Sequence, residues 1–159
     1  MRSVNSQLFM FNNLHSMEKI KITIDNTEVE VSKGATIYHA AKQIGIDIPV
    51  LCYLNLEHLN IENRPGGCRI CVVEVEGRRN LAPSCSTECA PGMVVHTHNL
   101  RVMNARKTVL ELILSDHPKE CLVCSSSGQC DLQKLSQMMG IREIHAVENA
   151  EMSTYRKDF

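Results

Sequence analysis

A chain of 159 residues with 43% hydrophobic and 22% charged content is of the globular kind, long enough for one full core or two small ones. Aromatic residues make up only 4% and Trp is absent, so the core is thin and aliphatic, a composition that gains from metal clusters or cross-links, and eight cysteines are present to make them. The formal net charge of -1, with Lys and Arg scattered among nearly equal numbers of Asp and Glu, argues against a nucleic-acid partner, and no apolar run is long enough for membrane insertion.

Residues 1–16, MRSVNSQLFMFNNLHS, hold only a four-residue apolar run, too short for a secretory signal, and are expected to be a disordered extension. The chain is therefore expected in the cytoplasm, where thiols stay reduced and cysteines serve as ligands rather than disulfides. Residues 17–98 are predicted to form the first domain. In EKIKITID the apolar Ile20, Ile22 and Ile24 alternate with polar neighbours, the turn Asp25-Asn26 follows, and Val29 and Val31 repeat the alternation, so the two segments read as a hairpin. GATIYHAAKQIG predicts a helix capped by Thr36, with Ile37, Ala40, Ala41 and Ile44 on one face and Gly45 as its stop. Pro49 keeps IDIPVLCY extended, and CVVEVEG (71–77) and GMVVHTH (92–98) read as further strands. Hairpin, helix and further strands make a small α+β roll.

Residues 99–145 are predicted to be a second, helical domain. NLRVMNARKTVLELILSDH has Asn99 as cap and Val102, Ala105, Val109 and Leu112 as a stripe, flanked by Met103, Leu110, Ile113 and Leu114, which calls for packing on more than one side. DLQKLSQMMG offers Asp131 as cap, Leu132, Leu135, Met138 and Met139 as a face, and Gly140 as stop. The polar tail 146–159 has no pattern and is expected to be mobile or docked onto another chain.

The long helix separates two sets of cysteines, each with one C-x2-C step that lets consecutive thiolates converge on one metal or cluster. The first reads C-x15-C-x2-C-x13-C through Cys52, Cys68, Cys71 and Cys85, with Gly66 and Gly67 letting the backbone pass close to a bulky anion. The plant-type ferredoxin order of one cysteine, a close pair and a distant fourth is the nearest pattern. Cys89, four residues after Cys85, is the competing fourth ligand, and Cys85 is preferred. In the second set, HPKECLVCSSSGQCDLQ, Cys121, Cys124 and Cys130 supply three ligands and His117 is the nearest residue able to supply a fourth. A neutral imidazole removes one negative charge, so the site is expected to reduce more easily than an all-cysteine equivalent. Pro118 fixes the turn after the histidine, and SSSG places small residues and amides near the sulfurs.

Through CRICVVEVEG, LAPSC and above all HPKECLVCSSSGQCDLQ, residues 17–145 resemble the amino-terminal segment of the large iron-sulfur subunit of complex I, shared with iron-only hydrogenases and with subunits of NAD-linked hydrogenases and formate dehydrogenases. The resemblance implies a β-grasp, ferredoxin-like domain with one 2Fe-2S cluster on Cys52, Cys68, Cys71 and Cys85, then a small helical domain with one 4Fe-4S cluster on His117, Cys121, Cys124 and Cys130. It further implies an electron-transfer subunit of an NAD(P)H-linked oxidoreductase, relaying single electrons between a flavin subunit, which binds FMN and NAD(P), and a separate catalytic subunit. No reaction centre is expected on this chain, which ends at Phe159 where the family's large members continue. The gap from Cys52 to Cys68 is longer than usual there and reads as an enlarged loop. Seven ionised thiolates and two oxidised cluster cores bring the net charge to about −4, milder than is typical of freely diffusing ferredoxins.

The rivals are a zinc-stabilised interaction module, which explains thiols without redox chemistry, and a free-standing ferredoxin. His96 and His98 share one face of a strand, as surface positions rather than a metal pair. His15, His39, His58 and His145 have no cysteine nearby.

Overall fold

The computed structural model describes residues 19–53, 65–118 and 120–143. The expected extension 1–16, the start of the first strand before Lys19, most of the enlarged loop (54–64), His15, His58, His145 and the tail 146–159 lie outside the described residues.

The hairpin forms because its alternating β-branched residues can all face one side. Strands β1 (Lys19–Ile24) and β2 (Thr27–Ser32) pair antiparallel from Lys19 opposite Ser32 to Ile24 opposite Thr27, burying Ile20, Ile22, Ile24, Val29 and Val31. Asp25 and Asn26 join them with φ of 45° and 68°, the two left-handed residues that a tight hairpin turn requires and that Asp and Asn tolerate best. Helix α1 (Ile37–Gln43) starts where the Thr36 side chain accepts from the His39 N–H, and it stops short of Gly45, whose φ is 76°. It presses Ile37, Ala40 and Ala41 into the same core.

Three more strands complete a mixed sheet in the order β2-β1-β5-β3-β4. Strand β3 (Val72–Val75) lies antiparallel to β5 (Val94–His96), and β5 lies parallel to β1. A parallel neighbour needs a crossover. Here the crossover contains α1 and the loop that carries the first cysteines. Strand β4 (Ala82–Pro83) is the element the sequence did not announce: it pairs through two residues only, and its proline is tolerated because β4 is the sheet edge.

Helix α2 (Leu100–Ser115) begins at Asn99, whose side chain accepts from the Val102 N–H at 2.9 Å. Its buried face differs from the expected stripe. Val102, Arg106 and Leu110 are buried in four-residue steps, while Leu112 is 52% exposed. A charged residue thus occupies the centre of the seam. Helix α3 (Asp131–Met138) is capped one residue earlier than expected: Cys130 has the extended cap conformation and Asp131 is the first helical residue. Asp131 still suits its place, because a carboxylate in the first turn meets the positive end of the helix.

Two apolar clusters result. One lies between the sheet and α1. The other joins Ile70, which sits between Cys68 and Cys71 in sequence, to Leu110 of α2 and Leu135 of α3, with Leu51, Cys68, Leu114 and Leu132 packed around them. The loop bearing the first cysteines and the helices around the second set therefore share one buried seam.

Candidate iron-sulfur sites

The first cysteine set is gathered by loop geometry and by the edge strand. The Ser84 N–H donates to the Cys71 carbonyl at 3.1 Å, extending the β3–β4 pairing and bringing Cys85 beside Cys71. Their Sγ atoms lie 3.3 Å apart, both buried, and are not disulfide-bonded, since an S–S bond is about 2.05 Å. Cys52 and Cys68 make the other association: the Cys68 N–H reaches the Cys52 Sγ at 3.5 Å. The backbone between them is wound tightly, with φ of 94° at Gly66 and 64° at Arg69. Partial burial opposes ionisation of the Cys52 thiol, yet donors from Cys68 and the backbone N–H groups of Gly66 and Gly67 hold it below its ordinary value. A Cβ at Gly66 would meet the Ser86 Oγ at 3.0 Å on top of its left-handed backbone. Gly66→Ala is accordingly expected to lose about 1–3 kcal/mol of stability and part of the iron bound by this loop, read by thermal melts and iron assay; an unchanged melt and iron content would contradict this role.

Does this site fit an iron cluster? Burial, the adjacent Cys71 sulfur and the charges of Cys71 and Cys52 push the Cys85 thiol up to about 12, against a smaller opposing effect of the Gly66 N–H. Two thiols in contact cannot both ionise without a compensating cation, and coordinated iron supplies one. Ser84 Oγ, fully buried one residue before Cys85, has no hydrogen-bond partner among the described residues. An orphaned hydroxyl there fits a group that carries acceptors of its own. A single zinc ion would draw four ligands to about 2.3 Å from one point. Among the described residues no three His, Cys, Asp or Glu side chains converge in that manner. The sulfurs come instead as two close associations, which suits a group with two metal positions.

Cys89 behaves differently. It is buried in the sheet core, its N–H donates to the Ala35 carbonyl at 2.8 Å, and its thiol is pushed up to about 11 by burial alone. Because the folded thiol ionises above its ordinary 9.0, the unfolded chain loses its proton first as pH rises. Stability from this group is thus full below pH 9 and lost toward pH 11, by roughly 2–3 kcal/mol. The iron-loaded protein should show a falling urea midpoint between pH 9 and about 11, and Cys89→Ala should flatten that slope. Identical slopes in the two proteins would contradict the assignment.

The second set is built on the end of α2 and the start of α3. His117 follows the last turn of α2, its N–H donating to the Leu114 carbonyl at 3.2 Å. Around the C-x2-C step the chain folds into successive turns: Val123 N–H to Glu120 O at 3.2 Å, Cys124 N–H to Cys121 O at 3.4 Å, Ser127 N–H to Cys124 O at 3.1 Å. Gly128, with φ of 82°, donates its N–H to Gln133 Oε1 at 3.2 Å, pinning the loop to α3. Cys130 holds the N-cap position without a side-chain capping bond, so its sulfur stays available beside the positive end of the helix. His117, Cys121, Cys124 and Cys130 together line one cavity of about 120 Å³. A wider cavity of about 530 Å³ shares His117, Cys121 and Cys130 and continues to Leu114, Leu132 and Arg142. The tip of this loop is bare, with Leu122 100% exposed. One nitrogen and three sulfurs around a small cavity are a donor set suited to iron.

Residues 17–100 match the family described as 2Fe-2S iron-sulfur cluster binding domain. The chain belongs to this family. Residues 106–145 match a second, the NADH-ubiquinone oxidoreductase-G iron-sulfur binding region. The chain thus combines a 2Fe-2S ferredoxin-like domain with a small 4Fe-4S segment, one cluster for each. That combination displaces the zinc alternative. Among curated relatives, NADP-reducing hydrogenase subunit HndD of Solidesulfovibrio fructosivorans is 61% identical over 89% of this chain and 24% of its own length. The mitochondrial NADH-ubiquinone oxidoreductase 78 kDa subunit of Candida albicans is 40% identical over 78% of this chain and 16% of its own length. The chain therefore spans about a quarter or less of these relatives. A solved structure of an NAD+-reducing [NiFe]-hydrogenase in the H2-reduced state superposes with a TM-score of 0.68 at 31% identity, covering 79% of this chain and 51% of that one.

Two residues of this 2Fe-2S domain and its neighbouring helix escaped the sequence reading. Ser84 lies in LAPSC and nothing local marks its hydroxyl as orphaned. Arg106 did leave a signal, as the polar residue at the fourth step between two buried apolar ones, Val102 and Leu110. His96 pairs with Glu76 at 2.9 Å and His39 with Tyr53 and Thr36. Each of these rings has a local partner.

Proposed function

We propose that the chain is an electron-transfer unit of a multi-subunit NAD(P)H-linked oxidoreductase, passing single electrons between a flavin subunit and a separate catalytic subunit. When bound, each cluster takes up and gives up one electron. In this reading Cys52, Cys68, Cys71 and Cys85 hold the 2Fe-2S cluster, and His117, Cys121, Cys124 and Cys130 the 4Fe-4S cluster, as parts of domains spanning 17–98 and 99–145. The observation that carries it is the shared seam of Ile70, Leu110 and Leu135, which joins the loop bearing Cys68 to the two helices that flank the second ligand set. The residues divide the work: the buried Cys71–Cys85 pair is shielded from solvent, whereas Cys121 and Cys124 are exposed beside Leu122, open to a partner surface. FMN and NAD(P) belong to a complex I-like partner subunit in this reading. Among the described residues no helix is long and apolar enough to cross a membrane. In this reading the working location is the cytoplasm.

The test is to mix the anaerobically prepared, iron-loaded chain with NADH, alone and with a complex I-like flavoprotein. NADH is expected to leave the chain oxidised until the flavoprotein is added, because a hydride donor needs a flavin to split its electron pair. Reduction by NADH alone, or no effect of the flavoprotein, would contradict the proposal.

A further inference from the structure

Arg106 is the largest fully buried side chain among the described residues, with 1% of its surface exposed. Its Nε and Nη2 both donate to one acceptor, the Val72 carbonyl, at 3.1 and 2.9 Å. No carboxylate among the described residues forms an ion pair with it. Asp25, a carboxylate whose charge acts on it, is already engaged by the Thr97 N–H at 2.8 Å and by the Thr97 hydroxyl. Burial lowers the guanidinium to about 10, with Cys71 and Asp25 acting in the opposite direction, so it stays charged at neutral pH. A buried charge without a counter-ion is strongly disfavoured. The anion that answers it has to be close, and Val72 follows Cys71 directly in the chain.

We propose that Arg106 is the internal counter-ion of the two-iron site, a positioning residue whose fixed positive charge beside Cys71 raises the reduction potential of that site selectively. The inference rests on the assignment of Cys71 to the two-iron cluster made above. Four thiolates around an oxidised two-iron core leave a net charge of about −2, and uptake of one electron makes it about −3 with no bond made or broken in Arg106. A nearby buried cation stabilises the more negative state more, and little water is present to screen it. The second ligand set lies beyond the far end of α2. From Arg106 to the last helical residue, Ser115, is roughly 14 Å along the axis, so the four-iron site feels the charge much less.

The test is a dithionite titration followed by low-temperature EPR on the iron-loaded chain and its variants. In the wild type, a two-iron signal in this preparation establishes the cluster itself, separately from the proposal. Arg106→Gln is expected to lower the ratio of reduced to oxidised two-iron site at least tenfold at the wild-type midpoint, a downward shift of about 59 mV, with the four-iron midpoint and the iron content unchanged. Arg106→Lys, which keeps the charge, is expected to hold the ratio within about twofold of wild type. A fully assembled Arg106→Gln protein with an unshifted midpoint would overturn the proposal. If that variant fails to assemble, Arg106→Lys decides: wild-type midpoint supports the charge, while a tenfold shift with charge retained, or failure of both variants to take up iron, assigns Arg106 to the scaffold and overturns it.

Discussion

His117→Ala is expected to abolish the native four-iron EPR signal, or to replace it by an altered, labile one, while leaving the two-iron signal at full intensity. The asymmetry follows from the placement of the ligand sets. His117 sits beyond the end of α2 and lines a cavity with Cys121, Cys124 and Cys130 alone among the cysteines, whereas the Cys71–Cys85 pair is enclosed by β3 and β4. His117→Cys sharpens the result, because it restores four ligands but exchanges a neutral nitrogen for a thiolate. One extra negative charge at the site opposes electron uptake, so that variant should assemble a four-iron cluster with a midpoint lowered by on the order of 100 mV, other surroundings being equal. Equal loss of both signals in His117→Ala would show that the two sets are not separate sites. An unshifted midpoint in His117→Cys would show that His117 is not a ligand.

The second large effect separates two cysteines only four residues apart. Cys85→Ser should reduce the two-iron signal and the iron of that site by an order of magnitude or more, because the hard hydroxyl is a poor substitute for thiolate and the Cys71 sulfur loses its neighbour at 3.3 Å. Cys89→Ser should retain the signal at wild-type intensity. Its cost is to stability instead, about 1–3 kcal/mol for placing a hydroxyl in the apolar pocket between the sheet and α1, visible as a lower melting temperature. The reverse outcome, with Cys89→Ser colourless and Cys85→Ser intact, would exchange the two residues' roles.

Much of the fold was legible because it obeys short-range rules. Alternation at Ile20, Ile22, Ile24, Val29 and Val31, the turn at Asp25-Asn26 and the caps at Thr36 and Asn99 are each decided by neighbours within four residues, and all appear in the structure. What escaped depends on partners distant in sequence. Strand β4 exists only because β3 is there to pair with it, and no propensity marks Ala82–Pro83 as extended. The buried face of α2 rotated away from Leu112 because Arg106 gains a carbonyl on β3 that compensates its burial, a contact spanning 34 positions. The cap of α3 moved to Cys130 because that residue already takes an extended backbone in leaving the cysteine loop, which leaves Asp131 to start the helix. Spacing sorted the cysteines of the first set from those of the second, but the arrangement of Cys52, Cys68, Cys71 and Cys85 as two close associations was not legible. Spacing does not say that Ser84 would bond to Cys71 across two strands.

Whether this small chain holds two separate iron-sulfur clusters is decided by chemical analysis of an oxygen-free preparation. Iron, acid-labile sulfide and zinc should be assayed on one sample and followed by EPR of its reduced form. About six iron and six sulfide per chain are expected, with two distinct reducible signals. A colourless protein with stoichiometric zinc and no labile sulfide would contradict the two clusters.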